Sequence, residues 1–388
     1  MLFDVLIIGG GSVGASLAVS LKATGLSIGL VESQPAKPAP SAQAEWDNRI
    51  FAISPGSVKF LQQCGAWQHV DLSRVQAVEQ MCVWGDEGAA LDFSAYQMGV
   101  AELAFILESR ALQQAIGQNL LSQENLTFFQ PAQCESLIWT DEAAHLTLKD
   151  GRVLHAKLVV GADGADSWVR QQAGIAVHPV AYEQNGIVAN FIAEKPHRGV
   201  AFQWFQPDGI LALLPLPENK VSMVWSVGVQ KSAHLLQLSA QALCAEIEVA
   251  AQHKLGALQL LNAPAAFPLR RMRVPQIVKP RLALIGDAAH NIHPLAGQGI
   301  NLGFGDAQQL AQVLRQRGPE QDCGNMRLLR RYERSRKEDV TSMLFATDML
   351  QKLFNNDDPF LRIARNTGLA FTNRILPLKK MLARHAIS

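Results

Sequence analysis

Short apolar runs separated by glycines predict alternating strands and helices in the first part of the chain. Residues 3–8 (FDVLII) are mostly apolar and include β-branched residues, which is typical of a parallel strand buried on both faces. A helix is predicted from about Ser12 to Ala23, and a second strand covers residues 27–31. This order predicts the beginning of an α/β fold.

Further along the chain the pattern adds antiparallel strands. Residues 57–65 have helical spacing, and a second helix begins near Glu108. Residues 126–158 alternate around a turn at Asp150 and Gly151, which predicts a small meander that leads into a buried strand. Residues 180–229 alternate again, and we expect them to form the sheet of a second, substrate-covering domain.

Glycines follow the first strand at once. Gly9 permits a tight turn, Gly11 allows close approach of the backbone to a pyrophosphate, and Gly14 allows close helix–strand packing. Glu32 lies 18 residues beyond Gly14, near the spacing at which a carboxylate binds an adenosine ribose. The order of these features favours a dinucleotide site, although a glycine-rich turn without a ligand is the alternative.

Two later stretches place an acid at the end of a predicted strand. Asp163 follows the apolar run 156–160, and Asp287 follows the apolar run 281–286. In an open α/β sheet, ligands bind at the carboxyl ends of the strands. An isolated Asp-Gly pair is usually only a turn. Ser167 and Arg170 follow Asp163 at fixed offsets, a pattern that resembles the Asp-Gly fingerprint of the flavin hydroxylases.

The three stretches together resemble the three flavin-contacting fingerprints of the aromatic flavoprotein monooxygenases. Other matching stretches run through the chain, at residues 47–49 (DNR), 209–216 (GILALLPL), 294–303 (PLAGQGINLG) and 332–333 (YE). With these, the chain resembles the ubiquinone-biosynthesis hydroxylases of the UbiH, UbiF and VisC type, within the group A, para-hydroxybenzoate-hydroxylase-like flavin monooxygenases. One departure is Asn291, where related sequences more often carry Thr.

The resemblance implies a bound FAD. Backbone amides at the helix that follows Asp287 would face the N1/O2 edge of the ring, which is electron-rich in the reduced flavin. Two arginines would lie near the pyrophosphate, and the other contacts would come from the three stretches. The implied FAD-binding residues are Gly9, Gly11, Ser12, Val13, Gly14, Glu32, Arg49, Arg110, Asp163, Asp287, Gly297, Gly299, Ile300 and Asn301.

The implied reaction is ring hydroxylation of an aromatic, polyprenylated ubiquinone precursor. NAD(P)H would reduce the flavin as a transient donor, since no second GxGxxG is present, and O2 would then form a flavin C4a-hydroperoxide. Because the flavin carries the chemistry, we expect no nucleophilic side chain. Residues expected beside the reacting ring are His293, Pro294 and Leu295. Trp204, Phe205 and Leu213 are candidates for the substrate pocket, with plain core as the alternative.

Other functions stay open at this point. A prenyl-lipid reductase of the same fold would share the first motif but not normally the middle and late patterns together, and a non-catalytic flavin-bound component of a quinone-synthesis complex is a further alternative. The spacing of His290 and His293 suggests a metal pair, but no third ligand at a suitable spacing is evident, so we expect no metal site.

The expected fold is α/β, with a three-layer, Rossmann-like FAD-binding domain, an interleaved and mostly antiparallel substrate sheet, and a C-terminal helical region. A chain of 388 residues exceeds the size at which single cores usually stop growing. We place the first part of the FAD domain at residues 1–175, with a sheet insertion near 70–105. The substrate domain is placed at 176–275, and the rest of the FAD domain with the C-terminal helices at 276–388.

Composition limits the possible partners and compartment. The net charge is +1 without an early basic block, which argues against nucleic acid, and five cysteines at irregular spacings suggest a reducing compartment. We expect a cytoplasmic protein without a spanning segment. Residues 360–384 interleave apolar residues with Lys and Arg and contain no acid, so a peripheral membrane contact, a quinone-biosynthesis multiprotein complex and simple packing on the FAD domain are all open hypotheses.

Overall fold

A computed structural model describes residues 1–35, 45–85, 90–177, 180–291, 299–318 and 320–354 of the protein. Its helices are α1 (Ser12–Ser20), α2 (Pro55–Gln63), α3 (Ala95–Met98), α4 (Ser109–Leu121), α5 (Trp168–Gln172), α6 (Val229–Gln237), α7 (Ala240–Ala250), α8 (Gly299–Arg315) and α9 (Met326–Phe354).

The strands of the described residues are β1 (Leu2–Ile8), β2 (Ile28–Val31), β3 (Ile50–Ile53), β4 (Gln76–Val78), β5 (Gln80–Trp84), β6 (Ala90–Ser94), β7 (Ala104–Glu108), β8 (Leu126–Phe129), β9 (Cys134–Trp139), β10 (Ala144–Leu148), β11 (Val153–Gly161), β12 (Val180–Ala193), β13 (Val200–Gln206), β14 (Gly209–Pro215), β15 (Lys220–Gly228), β16 (Leu258–Leu260), β17 (Ala265–Arg273), β18 (Val278–Lys279), β19 (Leu282–Leu284) and β20 (His290–Asn291). Helices and strands are thus mixed, and the α/β prediction is confirmed.

The first sheet has the order β18-β19-β11-β1-β2-β8. All neighbours are parallel except β18, which runs antiparallel to β19. Val5 and Ile7 of β1 pack into one core with the helices α1, α4 and α8, while Leu6 and Ile8 pack into a second core with the meander of β9 and β10. This burial of both faces explains the nearly continuous apolar run in β1.

The second sheet has the order β20-β17-β12-β15-β14-β13-β5-β6, with β16 paired to β12. It is antiparallel except between β13 and β5. One face packs against α6 and α7 through Leu235, Leu243 and Ile247, and the other face is turned toward the first sheet's ligand edge. Residues 180–273 supply most of its strands, and the domain boundaries at residues 175 and 275 stay a prediction.

A third, small sheet of β3, β7 and β4 is antiparallel, and its strands lie between β2 and β8 in sequence. The helix that follows β3 begins at Pro55, two residues before the predicted start. Its N-cap is Ser54, whose hydroxyl accepts a hydrogen bond from the backbone N–H of Ser57. Across the helices that the structure describes, none combines the length and the apolar character needed to cross a bilayer.

Candidate functional site

The three stretches singled out in the sequence meet at one edge of the first sheet. Ile8 of β1 lies opposite Gly161 of β11, and Gly161 lies opposite Leu284 of β19. Because these strands are parallel, the segments that follow them leave the sheet side by side. The segments are also bonded directly, since the backbone N–H of Ala162 donates to the carbonyl of Ile8 and that of Ile285 donates to the carbonyl of Gly161.

The glycines of the first stretch have different surroundings. A β-carbon on Gly9 would lie 2.3 Å from the carbonyl oxygen of Ala162, and one on Gly14 would lie 2.0 Å from the carbonyl oxygen of Gly9. These two glycines are therefore required by contacts within the protein. A β-carbon on Gly11 would meet no protein atom within 4 Å. Gly11 thus leaves space that faces a ligand site rather than a neighbouring strand.

A continuous cavity of about 1570 Å³ opens at this edge and extends to the second sheet. Its volume exceeds the roughly 300–1,000 Å³ of an ordinary small-molecule pocket. It therefore has room for a large cofactor together with a substrate. Ten of the predicted cofactor-binding residues line it: Gly9, Gly11, Ser12, Val13, Glu32, Arg49, Asp163, Asp287, Gly299 and Ile300.

Two carboxylates on the cavity wall have unused hydrogen-bonding capacity. Oδ2 of Asp163 accepts a hydrogen bond from the backbone N–H of Val169 at 3.0 Å, while its Oδ1 is buried without a partner among the described residues. Burial raises the pKa of Asp163. Burial also raises the pKa of Asp287, against the opposing charges of His290 and Arg49. Hydroxyl or N–H donors of a ligand would satisfy both groups, which fits the hydroxyl-rich chain of FAD.

Glu32 orders the glycine turn from its neighbouring strand. Its Oε2 accepts a hydrogen bond from the backbone N–H of Gly10 at 2.8 Å, and its Oε1 accepts one from the N–H of Gln34 at 2.8 Å. The carboxylate still lines the cavity, so the expected contact with a ribose stays a prediction. Gln113 of α4 also lines the cavity beside this turn, and no sequence pattern had pointed to it.

Three other predicted cofactor residues make contacts within the protein and are not part of the described lining. Gly14 packs against Gly9, as given above. A guanidinium nitrogen of Arg110 donates to Glu108 at 3.2 Å. The side chain of Asn301 links α8 to the segment before α2: its Oδ1 accepts from the N–H of Ser54, and its Nδ2 donates to the carbonyl of Ala52. The predicted residues His293, Pro294, Leu295 and Gly297 lie outside the described residues.

A fully buried carboxylate holds the late stretch in place. Asp306 of α8 accepts hydrogen bonds from the backbone N–H of Gly286 at 2.9 Å, from Nε2 of His290 at 2.6 Å and from Nε of Arg336 at 2.7 Å. Tyr332 is also buried, and its hydroxyl donates to the carbonyl of Leu284 at 2.9 Å. Burial opposes ionisation of Asp306, yet the charges of His290 and Arg336 hold its pKa below the usual value.

Arg170 connects the middle and late stretches. Its guanidinium donates to the carbonyl of Ala288 at 2.9 Å and to the carbonyl of Ala165 at 2.8 Å. The hydroxyl of Ser167 accepts a hydrogen bond from the backbone N–H of Arg170 and caps α5. Ser167 and Arg170 therefore act on the shape of the site without lining it among the described residues.

The far end of the cavity is formed by the second sheet. Trp204 and Leu213 lie on the opposite face of that sheet, in the core under α6 and α7, and Phe205 packs in a separate buried cluster with Ile210. None of the three belongs to the described lining of the cavity. The cavity-facing side chains of these strands are instead Val188, Ala201, Gln203, Ala212, Leu214 and Val224.

Comparison with known proteins agrees with this geometry. The sequence pattern of the family described as FAD binding domain matches residues 3–347. The chain is 38% identical over 386 residues to 3-demethoxyubiquinol 3-hydroxylase of Escherichia coli, covering 99% of this chain and 98% of that protein. It is 36% identical over 388 residues to ubiquinone hydroxylase UbiL of Rhodospirillum rubrum, covering 99% and 89%.

The fold also resembles that of a protein of known structure. The crystal structure of p-nitrophenol 4-monooxygenase PnpA from Pseudomonas putida superposes with a TM-score of 0.78, at 17% identity, and the match covers 99% of this chain and 98% of that chain. At this identity the likeness concerns the fold alone.

Replacing Gly11 by valine tests whether its open space is the cofactor's. The Gly11→Val protein should fold, because an added β-carbon meets no protein atom within 4 Å, but its purified form should contain almost no FAD. The matched control is Gly117→Val, another position with no protein atom within 4 Å of an added β-carbon. Flavin absorbance per protein is the measurement, and wild-type FAD content in Gly11→Val would refute the placement.

The buried carboxylate of Asp306 should give the protein an acid-sensitive stability. Because its pKa is lowered in the folded state, its contribution is present above the unfolded value of about 3.9 and is lost as the pH falls through the folded pKa. Asp306→Ala should also lower the free energy of unfolding at neutral pH by about 3 kcal/mol, since Arg336 loses its buried partner.

Urea denaturation between pH 7 and pH 3 measures both effects. Asp306→Asn should show a flatter dependence on pH than the wild type below about pH 4. The control Asp150→Asn removes an exposed carboxylate of a surface ion pair and should unfold like the wild type. Equal unfolding midpoints for the wild type and Asp306→Asn at every pH would contradict the assignment.

Proposed function

Because the chain belongs to the FAD binding domain family, and within it to the ubiquinone-biosynthesis hydroxylases, we propose that it hydroxylates the aromatic ring of a polyprenylated ubiquinone precursor with O2 and NAD(P)H. The observation that carries this proposal is the single cavity that joins the glycine edge of the first sheet to the apolar face of the second. A cofactor and an aromatic ring can meet in such a space without crossing solvent.

The first sheet's edge holds FAD in this proposal. Backbone amides around Gly11, at the beginning of α1, bind the pyrophosphate, and Arg49 adds positive charge beside it. Asp287 and Asp163 accept hydrogen bonds from the cofactor, since both carboxylates line the cavity and Oδ1 of Asp163 has no partner among the described residues. When bound, FAD supplies the transfer of electrons from NAD(P)H and the activation of O2.

The N-terminal end of α8 stabilises negative charge on the cofactor. Gly299 and Ile300 line the cavity at the described start of this helix, where the backbone N–H groups carry partial positive charge. That charge stabilises an electron-rich ring placed against it. The buried Asp306 network anchors both this helix and the Gly286 turn, so it holds the distance between Asp287 and the helix start.

The second sheet positions the substrate. Its cavity-facing side chains are mostly small or apolar, as are Met81 and Phe93 on the neighbouring strands β5 and β6. An apolar wall excludes water and leaves the ring in contact with the reacting edge of the cofactor. The protein therefore supplies orientation and a dry site, and no nucleophilic side chain is needed for the reaction.

The polyprenyl tail of the substrate requires access to a bilayer or to a lipid-delivering partner. We place this contact on residues 360–384, whose apolar residues alternate with Lys and Arg and which contain no acid. This part of the chain lies outside the described residues, and the proposal rests on its composition. A quinone-synthesis complex that delivers the lipid is the second route.

Oxygen uptake by the purified holoenzyme distinguishes the proposed function from its rivals. With NAD(P)H and a short-chain ubiquinone precursor, the hydroxylase consumes O2 and yields a product that is one oxygen atom heavier. A prenyl-lipid reductase would oxidise NAD(P)H without O2 and reduce the substrate. A non-catalytic flavin protein would do neither, so mass spectrometry of the product together with an oxygen electrode decides among the three.

Removal of the basic segment tests the membrane contact. A protein truncated after Asn373 should keep its FAD but sediment less with liposomes that contain anionic lipid, because four of the basic residues beyond this point are lost: Arg374, Lys379, Lys380 and Arg384. The control is a full-length variant with Lys22 changed to Ala, which removes a basic residue far from this segment. Loss of FAD or precipitation of the truncated protein would show that the segment is structural.

A further inference from the structure

One polar side chain interrupts the apolar floor at the substrate end of the cavity. The strands β12, β15, β14 and β13 present a single cross-strand row there: Val188 lies opposite Val224, Val224 opposite Ala212, and Ala212 opposite Gln203. All four residues line the cavity. Among the described residues that these four strands contribute to the lining, Gln203 is the polar one.

The position of Gln203 fixes the direction of its side chain. The adjacent Phe202 and Trp204 are buried in the core on the opposite face, where they stack with Trp84. Because side chains alternate along a strand, Gln203 points into the cavity, as does Ala201 two residues before it. Its side chain is held there by its surroundings, since only 4% of the residue's surface is exposed.

The side-chain amide of Gln203 makes no hydrogen bond to the described residues. Within the part of the chain that the structure describes, its side chain has no hydrogen-bond partner, whereas the amide of Gln206 on the same strand donates to the carbonyl of Ala250 at 2.8 Å. A buried amide without a partner is costly and is usually explained by a ligand or an ordered water. The apolar side chains that line this end of the cavity, such as Met81, Leu214 and Val224, offer no partner.

We infer that Gln203 is a positioning residue that hydrogen-bonds an oxygen substituent on the substrate's aromatic ring. This inference rests on the proposed function and adds the element that orients the ring. An amide can accept from a phenolic hydroxyl through Oε1 and donate to a carbonyl or methoxy oxygen through Nε2. In a cavity whose other walls are apolar, one such bond fixes the rotation of the ring and thereby the carbon that faces the cofactor.

The test compares two ligands that differ only in their ring oxygens. A monoprenyl hydroquinone and the matching monoprenyl arene, which has hydrogen in place of both hydroxyls, are titrated into the oxidised holoenzyme, and the shift of the flavin absorbance gives each dissociation constant. Gln203→Met keeps a similar length without the amide. It should bind the hydroquinone about tenfold more weakly than the wild type and the arene within about twofold of it.

Two further variants separate this role from a structural one. Gln206→Met removes an amide from the same strand outside the cavity lining and should leave both dissociation constants unchanged. Gln203→Glu keeps the size of the side chain, and its carboxylate, ionised by titrating at about pH 9, accepts hydrogen bonds but cannot donate them. It should retain binding of the hydroquinone and lose about tenfold for the monoprenyl benzoquinone, whose carbonyls can only accept.

The outcomes are distinct. The inference is overturned if Gln203→Met has the wild-type ratio of affinities for the hydroquinone and the arene, and Gln203→Glu has the wild-type ratio for the hydroquinone and the benzoquinone. The proposed function then stands, provided that the wild type hydroxylates the hydroquinone. If Gln203→Met loses its FAD, the ratio of the affinities of Gln203→Glu for the hydroquinone and the benzoquinone decides. If the wild type binds the ligands but forms no hydroxylated product with NAD(P)H in air, the proposed function fails first, and the role of Gln203 in that reaction fails with it.

Discussion

The parallel register of β1, β11 and β19 is the constraint on which the rest of the site depends. With Ile8, Gly161 and Leu284 opposite one another, three stretches that lie far apart in the sequence leave the sheet at one point. The contacts there are too close to tolerate a side chain at Gly9, where a β-carbon would lie 2.3 Å from a neighbouring carbonyl oxygen. The ligand edge is therefore specified by backbone packing as much as by polar groups.

A buried network of charged side chains beneath this edge fixes the conformation of the turn at Gly286. Asp306 holds Gly286 through the backbone and is itself held by Arg336 and His290, all in a buried environment. Such a network is stable only when every member is satisfied. It couples α8 and α9 to the Asp287 turn, so a change far from the cavity would still alter the site.

The sequence was sufficient to predict the ligand edge of the first sheet, but not which side chains of the second sheet line the cavity. Apolar runs that end in glycine or aspartate predicted the strands and their ligand edge, because burial and turn chemistry are local properties. The network of Asp306 joins residues 16 and 30 positions apart, and no local pattern marks it. The alternation in β13 predicted two faces but did not indicate which of them α6 and α7 cover. The large side chain of Trp204 therefore suggested a substrate pocket, whereas in the structure it lies in the core.

In the proposed function, one cavity holds the O2-activating cofactor at the edge of the first sheet, in contact with the aromatic ring of a substrate on the second sheet. Turnover of the purified holoenzyme under ¹⁸O2, with a short-chain ubiquinone precursor and NAD(P)H, tests it most directly. The expected product carries one ¹⁸O atom on its ring for each molecule of O2 consumed, with no label from ¹⁸O-water. A product without the label, or turnover that continues without O2, would contradict it.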